Sequence, residues 1–284
     1  MYVLCSPCIL NPVLRADGIT RPSDLEAFER VKTRCNAFGI EIIPLPCPET
    51  LYLGPDRIPG TFLERLDTPA FYRLMDELEE QVREIIVKRG PPLCIIGVNS
   101  SPTCGVTSTW YGNRDDEPPR RNGRGVFLSR FPYIPAIDTL VFARYRVYLA
   151  APLFSDAERS YNLQVADLLR KNLFEVYLPQ ETGDDCNTRK KEEQGRLFSA
   201  NKNALEDADI VVAVIDGADA DSGTAWEMGY AFAQGKRVIA LRTDFRHVGI
   251  NEQVNLMLEQ SAAVVDSWEA LLVAIQSPMK MRDP

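Results

Sequence analysis

The chain has 284 residues, 45% hydrophobic and 25% charged, enough for one large domain or two ordinary ones with separate cores. A formal net charge of −8 and a pI near 4.9 argue against nucleic acid or an anionic membrane as primary partner. No apolar run is long enough to span a bilayer, and the opening MYVLCSPC lacks a basic segment and an extended apolar core, so a cytoplasmic location is expected. Seven cysteines, an odd count in a reducing compartment, do not suggest a disulfide framework and call for another explanation. The single histidine, His247, argues against a Ser-His-Asp site or a multi-histidine metal site, and is expected at the surface without a special role.

Taken in chain order, short apolar runs alternate with longer amphipathic ones. YVL, a helical stretch over 23–38, IEIIPL, a helical stretch over 68–89 and PLCIIGV come first. Residues 112–135, GNRDDEPPRRNGRGVFLSRFPYIP, are rich in Arg, Asp, Gly and Pro and read as a surface loop and connector, with a short structured piece at 126–128. RVYLAAP follows, then helix 156–173, FEVYLP, helix 189–206, DIVVAVID, helix 223–235, RVIALRT, helix 251–260, AAVVDS and a final helix from Trp268. The alternation predicts an α/β protein with two doubly wound parallel-sheet domains, each a three-layer α/β/α sandwich, the C-terminal one flavodoxin- or Rossmann-like. The expected division is 1–128, a connector over 129–145, and 146–284.

In the C-terminal half, the stretch 223–235 is predicted helical and carries one charge, Glu227, among Trp226, Met228, Tyr230 and Phe232. So apolar a helix is expected to be buried on most sides. A carboxylate there either lines a cavity or sits at an exposed edge near the helix start. The preceding loop follows a strand's carboxyl end, where parallel sheets bind ligands, and it holds Asp216, Asp219, Asp221 and Ser222. Asp221 and Glu227 can divide labour, one as nucleophile on a sugar carbon and the other hydrogen-bonding the leaving group or the sugar.

YLAAPLF (148–154), ALEDADIVVAVIDG (204–217), DSGTAWEMGYA (221–231) and VNLMLEQSA (254–262) resemble the nucleoside 2-deoxyribosyltransferase family over residues 146 to 275. The resemblance implies Glu227 as the nucleophile at the anomeric carbon and Asp221 as the acid near the departing base. It implies Tyr148 positioning Glu227, with Asp216, Ser222 and Gly223 around the substrate. It further implies Asn255 reaching into a neighbouring subunit's site, hence a homodimer or larger oligomer. Where relatives commonly place a sugar-binding aspartate, this chain has Asn201, which accepts a hydrogen bond but cannot serve as a base. Arg242 and Arg246 are candidates for a 5′-phosphate, with plain surface solvation as the alternative.

In the N-terminal half, three apolar runs each end at a cysteine on a Pro- or Gly-stiffened turn: SPC at Cys8, PCP at Cys47 and SPTCG at Cys104. If the runs are neighbouring parallel strands, the three thiols open onto one crevice. Cys94, inside PLCIIGV, reads as an inert structural thiol. Three separated thiolates without histidine suit a cubane iron–sulfur cluster with one open iron. Zinc with Cys5 as fourth ligand, and plain redox or structural cysteines, stay open at this point.

CSPCILNPVLRADG (5–18), LPCPETLYLGPDR (45–57) and GVNSSPTCGV (97–106) resemble the thiouracil desulfidase-related family over residues 1 to 128. That resemblance implies a [4Fe-4S] cluster held by Cys8, Cys47 and Cys104, with Glu49 and Ser101 handling protons and orienting a thiolated base. Together the two halves predict a bifunctional enzyme on small-molecule nucleosides or nucleobases, cleaving or exchanging the N-glycosidic bond and replacing base sulfur by oxygen. Two alternatives remain: glycosyl-transfer chemistry beside a structural or regulatory metal domain, and a cluster- or zinc-based sensor gating nucleotide binding.

Overall fold

A computed structural model describes residues 1–112, 119–182, 191–249 and 252–277. The chain divides into two compact units, Met1–Ala143 and Arg144–Pro284. Residues 113–118 of the predicted connector, and the first residues of the helices predicted from 189 and 251, lie outside the described residues.

The first unit contains β1 (Tyr2–Cys5), α1 (Pro22–Ala37), β2 (Glu41–Pro44), α2 (Pro48–Leu53), α3 (Phe62–Arg65), α4 (Pro69–Arg89), β3 (Ile95–Gly97), β4 (Ser108–Trp110), β5 (Arg120–Asn122), β6 (Ala136–Asp138) and α5 (Thr139–Phe142). Its main sheet runs β2-β1-β3-β6 with every pairing parallel. All four residues of β1 are buried, as a central parallel strand requires. In α4, Phe71, Met75, Leu78 and Val82 repeat at near-helical spacing and enter the core, while Thr68 caps the first turn by accepting from the Phe71 N–H.

The segment expected to be surface loop and connector is exposed at 120–123, Ser129, Pro132 and Tyr133, yet it also sends four side chains into the core. Phe127, Leu128, Phe131 and Ile134 are buried among Phe62, Phe71 and Met75. Beyond them β6 pairs with β3, and the Asp138 carboxylate accepts the Asn99 N–H at 2.9 Å. Most of the predicted connector, through Ala143, therefore belongs to the first unit. Its Arg, Gly and Pro content marks tight turns between buried aromatics: a Cβ on Gly125 would stand 2.4 Å from the Thr103 backbone.

The second unit contains β7 (Arg146–Ala150), α6 (Asp156–Lys171), β8 (Glu175–Tyr177), α7 (Lys191–Asp207), β9 (Ile210–Val214), α8 (Ser222–Ala233), β10 (Arg237–Leu241), α9 (Leu256–Ser261), β11 (Ala263–Val265) and α10 (Trp268–Gln276). The sheet is parallel throughout in the order β11-β10-β9-β7-β8. Counted from β7 this is 2-1-3-4-5, the flavodoxin-like arrangement, whose order reverses between β7 and β9. A Ser155–Glu158 capping box starts α6. Helix α8 departs from expectation. Only the stripe Thr224, Met228, Ala231 is buried, and Trp226 remains 48% exposed. Low charge in this helix marks an aromatic surface beside a cavity and not burial on most sides. Among the described residues no helix is long and apolar enough to cross a membrane.

Truncating a true connector residue costs little, whereas Phe131→Ala, made at a fully buried ring packed edge-on against Phe127, is expected to destabilise the chain by about 3–5 kcal/mol. Urea unfolding of the variant checks this; a loss near zero would return the segment to the surface.

Candidate functional site

In the second unit the site forms where the strand order reverses. Tyr148 rises from β7 and Glu227 from α8, the helix that follows β9. The Tyr148 hydroxyl donates to Glu227 Oε1 at 2.5 Å. Burial pushes the Glu227 carboxyl up to about 7; the Tyr148 hydrogen bond opposes this and the Asp221 charge adds to it. Burial likewise pushes the Tyr148 phenol far up, with the Glu227 charge adding, so Tyr148 serves as donor and not as base.

Asp221 is the N-cap of α8, and its Oδ2 accepts the Gly223 and Thr224 N–H groups at 2.9 and 3.0 Å. A Cβ added at Gly223 would stand 3.0 Å from that oxygen, so a larger residue would have to displace the cap. A cavity of about 340 Å³ is lined by the polar or small residues Tyr148, Asn201, Gly223 and Glu227, together with Phe198, Lys202, Leu205 and Trp226.

Of the residues expected around a substrate, the cavity thus gathers Tyr148, Asn201, Gly223 and Glu227, with Asp221 acting on Glu227 from the cap. Three do not join them. Asp216 is a clamp between strand ends: it accepts the Thr243 and Asp244 N–H groups at 2.5 and 2.8 Å and the Thr243 hydroxyl at 2.7 Å. Ser222 is exposed in the first turn of α8. Asn255 is the exposed N-cap of α9 and accepts the Met257 N–H at 3.0 Å.

The basic candidates are also committed elsewhere. Arg242 is buried and donates to the carbonyls of Ile215, Gly217 and Arg246. Arg246 pairs with Asp244, whose carboxyl those hydrogen bonds hold well below the usual range. His247 is exposed, as expected.

Phe198, Lys202 and Leu205 were not anticipated. With Asn201 they fall at i, i+3, i+4 and i+7 along FSANKNAL, a helical-face signature readable from the sequence. Trp226 stacks on Tyr230 at 5.1 Å, and Lys202 pairs with Glu206 at 2.6 Å.

The nucleoside 2-deoxyribosyltransferase family profile matches residues 147–266. An uncharacterized protein of Ureaplasma parvum is 30% identical over 129 residues, which is 40% of this chain and 80% of that protein. The C-terminal half of the chain carries a nucleoside 2-deoxyribosyltransferase domain. Among solved structures, a 2-deoxyribosyltransferase from Bacillus psychrosaccharolyticus is 23% identical with a TM-score of 0.41, covering 48% of this chain and 99% of its own. A [4Fe-4S]-dependent thiouracil desulfidase is 17% identical with a TM-score of 0.33, covering 48% and 89%.

The first unit builds a second polar cluster. Cys8, Cys47 and Cys104 follow β1, β2 and β3, which are adjacent parallel strands, and β1–β3 is the point where this sheet's order reverses. Cys47 is the N-cap of α2, and its sulfur accepts from the Thr50 hydroxyl at 3.1 Å and the Thr50 N–H at 3.5 Å. Two residues on, Glu49 Oε1 accepts from Thr103 and Ser101 hydroxyls at 2.7 and 3.1 Å, while Arg57 Nε lies 3.5 Å from Oε2.

Ser101 Oγ also accepts the Cys104 N–H at 3.0 Å. A Cβ on Gly97 would stand 2.5 Å from the Cys104 carbonyl, so a glycine is what lets this turn fold back over β3. The predicted pair Glu49 and Ser101 thus meets directly, and Thr103 and Arg57 join it.

Burial pushes the Cys8 thiol up to about 12; Arg15 opposes this, while Cys47, Glu49 and Cys5 add to it. Cys104 is pushed up by burial and by the charges of Cys47 and Cys8, with Thr103 and Ser6 opposing. Cys47 thus acts on both Cys8 and Cys104, and all three are free thiols.

Among the described residues no three His, Cys, Asp or Glu side chains gather around a single ion position. A cubane cluster spreads its ligands over different irons, and three free thiols at the ends of three adjacent strands fit that demand. Cys94 and Cys35 are thiols pushed up by burial, to about 12 and about 11, as structural cysteines are.

Because Glu227 ionises near 7, glycosyl cleavage is expected to rise with pH to a plateau, half-maximal near pH 7. A carboxyl with a raised folded pKa favours folding below its unfolded value and opposes it once ionised. Glu227→Gln should therefore leave stability unchanged at pH 4 and raise it by roughly 1–3 kcal/mol at pH 8.5, by urea unfolding. Tyr148→Phe removes the donor that holds Glu227 down. It should move the pH midpoint upward and lower the rate at pH 6 by about tenfold, a change of about one pH unit in the rate profile.

Proposed function

We propose that the chain is a bifunctional enzyme of modified-nucleoside metabolism: Glu227 cleaves or exchanges an N-glycosidic bond, and the first unit removes sulfur from a thiolated base. The observation that carries the first activity is Glu227, poised near 7 under the Tyr148 hydroxyl on the wall of a cavity at the strand-order switch. An ionised Glu227 oxygen forms a bond to the sugar's anomeric carbon as the bond from that carbon to the base nitrogen breaks. The Tyr148 hydroxyl orients the carboxylate, and Asp221, fixed as the helix cap, is the group proposed to supply the proton that leaves with the base. Water or a second base then displaces Glu227 and gives up its proton to Asp221, which restores both carboxyl groups. Asn255 reaching a neighbouring subunit's site, in a homodimer or larger oligomer, belongs to the same proposal.

For the second activity, support comes from the three turn cysteines and the Glu49–Ser101–Thr103 cluster beside them. Cys8, Cys47 and Cys104 would hold a [4Fe-4S] cluster, whose open iron supplies a Lewis acid for a soft sulfur atom. Glu49, which accepts from both hydroxyls, would hold and return a proton at Ser101 Oγ. Fusion of the two units makes a thiolated nucleoside or its base the shared substrate class.

Anaerobically reconstituted protein, incubated with a panel of thionucleosides and ordinary nucleosides, tests both halves. Free base and sulfide are expected, with base release lost by about a thousandfold or more in Glu227→Ala. Cys8→Ser, Cys47→Ser and Cys104→Ser should each lose iron and acid-labile sulfide. Colourless protein holding stoichiometric zinc would sink the cluster, and undiminished base release by Glu227→Ala would sink the nucleophile.

A further inference from the structure

Behind the cavity wall stands a residue with no part in the chemistry so far. Tyr177 lies on β8 directly opposite Tyr148 on β7, as register partners of a parallel pair. The two rings stack with centroids 5.5 Å apart and planes 18° from parallel. Their hydroxyls diverge. Tyr148 donates to Glu227, and Tyr177 donates to Asn201 Oδ1 at 2.9 Å. Asn201 and Glu227 both line the cavity, on α7 and α8 respectively, while Tyr177 does not. One aromatic pair therefore reaches the nucleophile with one hydroxyl and the polar group on the facing helix with the other.

We infer that Tyr177 is the positioning residue of this site, holding Tyr148 by its ring and fixing Asn201 by its hydroxyl as a hydrogen-bond donor to the substrate. The inference rests on Glu227 being the nucleophile. An amide has two chemically different ends. With its oxygen accepting from the Tyr177 hydroxyl, Asn201 has its two N–H groups left to offer in the cavity it lines. The site then reads an acceptor oxygen on the substrate, a sugar hydroxyl oxygen or a base carbonyl. An aspartate here would accept the same bond from Tyr177 and have no donor left to offer when ionised.

The ring does a separate job. Tyr148 is buried, and its reach to Glu227 depends on the ring staying where the Tyr177 face holds it. The groups that act on Glu227 are Tyr148 from β7, Tyr177 from β8 and Asp221 at the start of α8; Lys202 on α7 lines the same cavity and is paired with Glu206.

The two jobs separate by substitution. Tyr177→Phe keeps the ring and frees the amide: KM should rise about tenfold, as for loss of one buried hydrogen bond, with kcat and the pH midpoint unchanged. Asn201→Asp should raise KM at least as much. Tyr177→Leu removes the stack as well, so the pH midpoint should also move upward, as in Tyr148→Phe. A Tyr177→Phe enzyme with unchanged KM, or one whose midpoint moves as far as that of Tyr177→Leu, overturns the inference.

Glu227→Ala is assayed alongside. If it is inactive while Tyr177→Phe matches the parent, the inference alone fails; if it retains base release, the nucleophile assignment fails and the inference with it. Urea unfolding of each Tyr177 variant, with and without Glu227→Gln, reads the Glu227 midpoint without turnover. A midpoint unmoved in Tyr177→Leu overturns the role of the ring.

Discussion

The second unit is organised around one hydrogen bond, from the Tyr148 hydroxyl to Glu227. A carboxylate on an otherwise uncharged helix, with Asp221 already committed as that helix's cap, has burial and like charge working against its ionisation. A donor from the neighbouring strand is what keeps the group near neutrality and aimed into the cavity. Strand order, helix cap and aromatic stack all serve that placement. β7 and β9 must be adjacent for the tyrosine to reach the helix after β9, and the parallel pairing of β7 with β8 supplies the second ring. Stability and reactivity oppose each other at this carboxylate, as they do wherever a site holds a charge that burial would neutralise.

Both units solve the same problem with the same topology. In each, the first strand of the unit sits between the second and the third, and the chemistry-bearing turns lie at the carboxyl ends flanking that reversal. The second unit places a phenol and a carboxylate there; the first places thiols with a carboxylate bonded to two hydroxyls. Helix starts recur in both: Cys47 caps α2 and Asp221 caps α8, so each polar group is held by backbone N–H as well as by its own side-chain partners. A shared frame of this kind says nothing of shared chemistry, which lives in the turns.

Much of this was legible in the amino-acid sequence because parallel strands announce themselves as short apolar runs and their helices as longer amphipathic ones. The cysteine turns were legible too, since proline and glycine beside a thiol are unusual in strand interiors. Three things were not. Asp216 looked like a ligand residue because it follows a strand, yet its hydrogen bonds to Thr243 and Asp244 depend on a strand pairing that local pattern cannot specify. Arg242 looked like a surface cation, and only tertiary contacts bring three carbonyls around it. Tyr177 gave no signal at all, because its significance lies in register with Tyr148, twenty-nine positions earlier in the chain by their numbers. The Phe198–Leu205 face, by contrast, is legible in the helical spacing of FSANKNAL.

The burial of Phe127, Leu128, Phe131 and Ile134 bears on how such a protein is assembled from parts. A turn-rich, strongly charged stretch invites a cut, yet Gly125 lies against the backbone of Thr103, and Asp138 holds the Asn99 amide in the loop that leads to Ser101 and Cys104. The residues that brace the thiol turn therefore arrive well after Cys104, the last cysteine of the trio, at Gly125 and Asp138. A recombination or an expression boundary drawn at the composition shift would carry every proposed ligand and still leave behind the scaffold that shapes one of them. The heritable unit is longer than its motif, and it ends at Ala143.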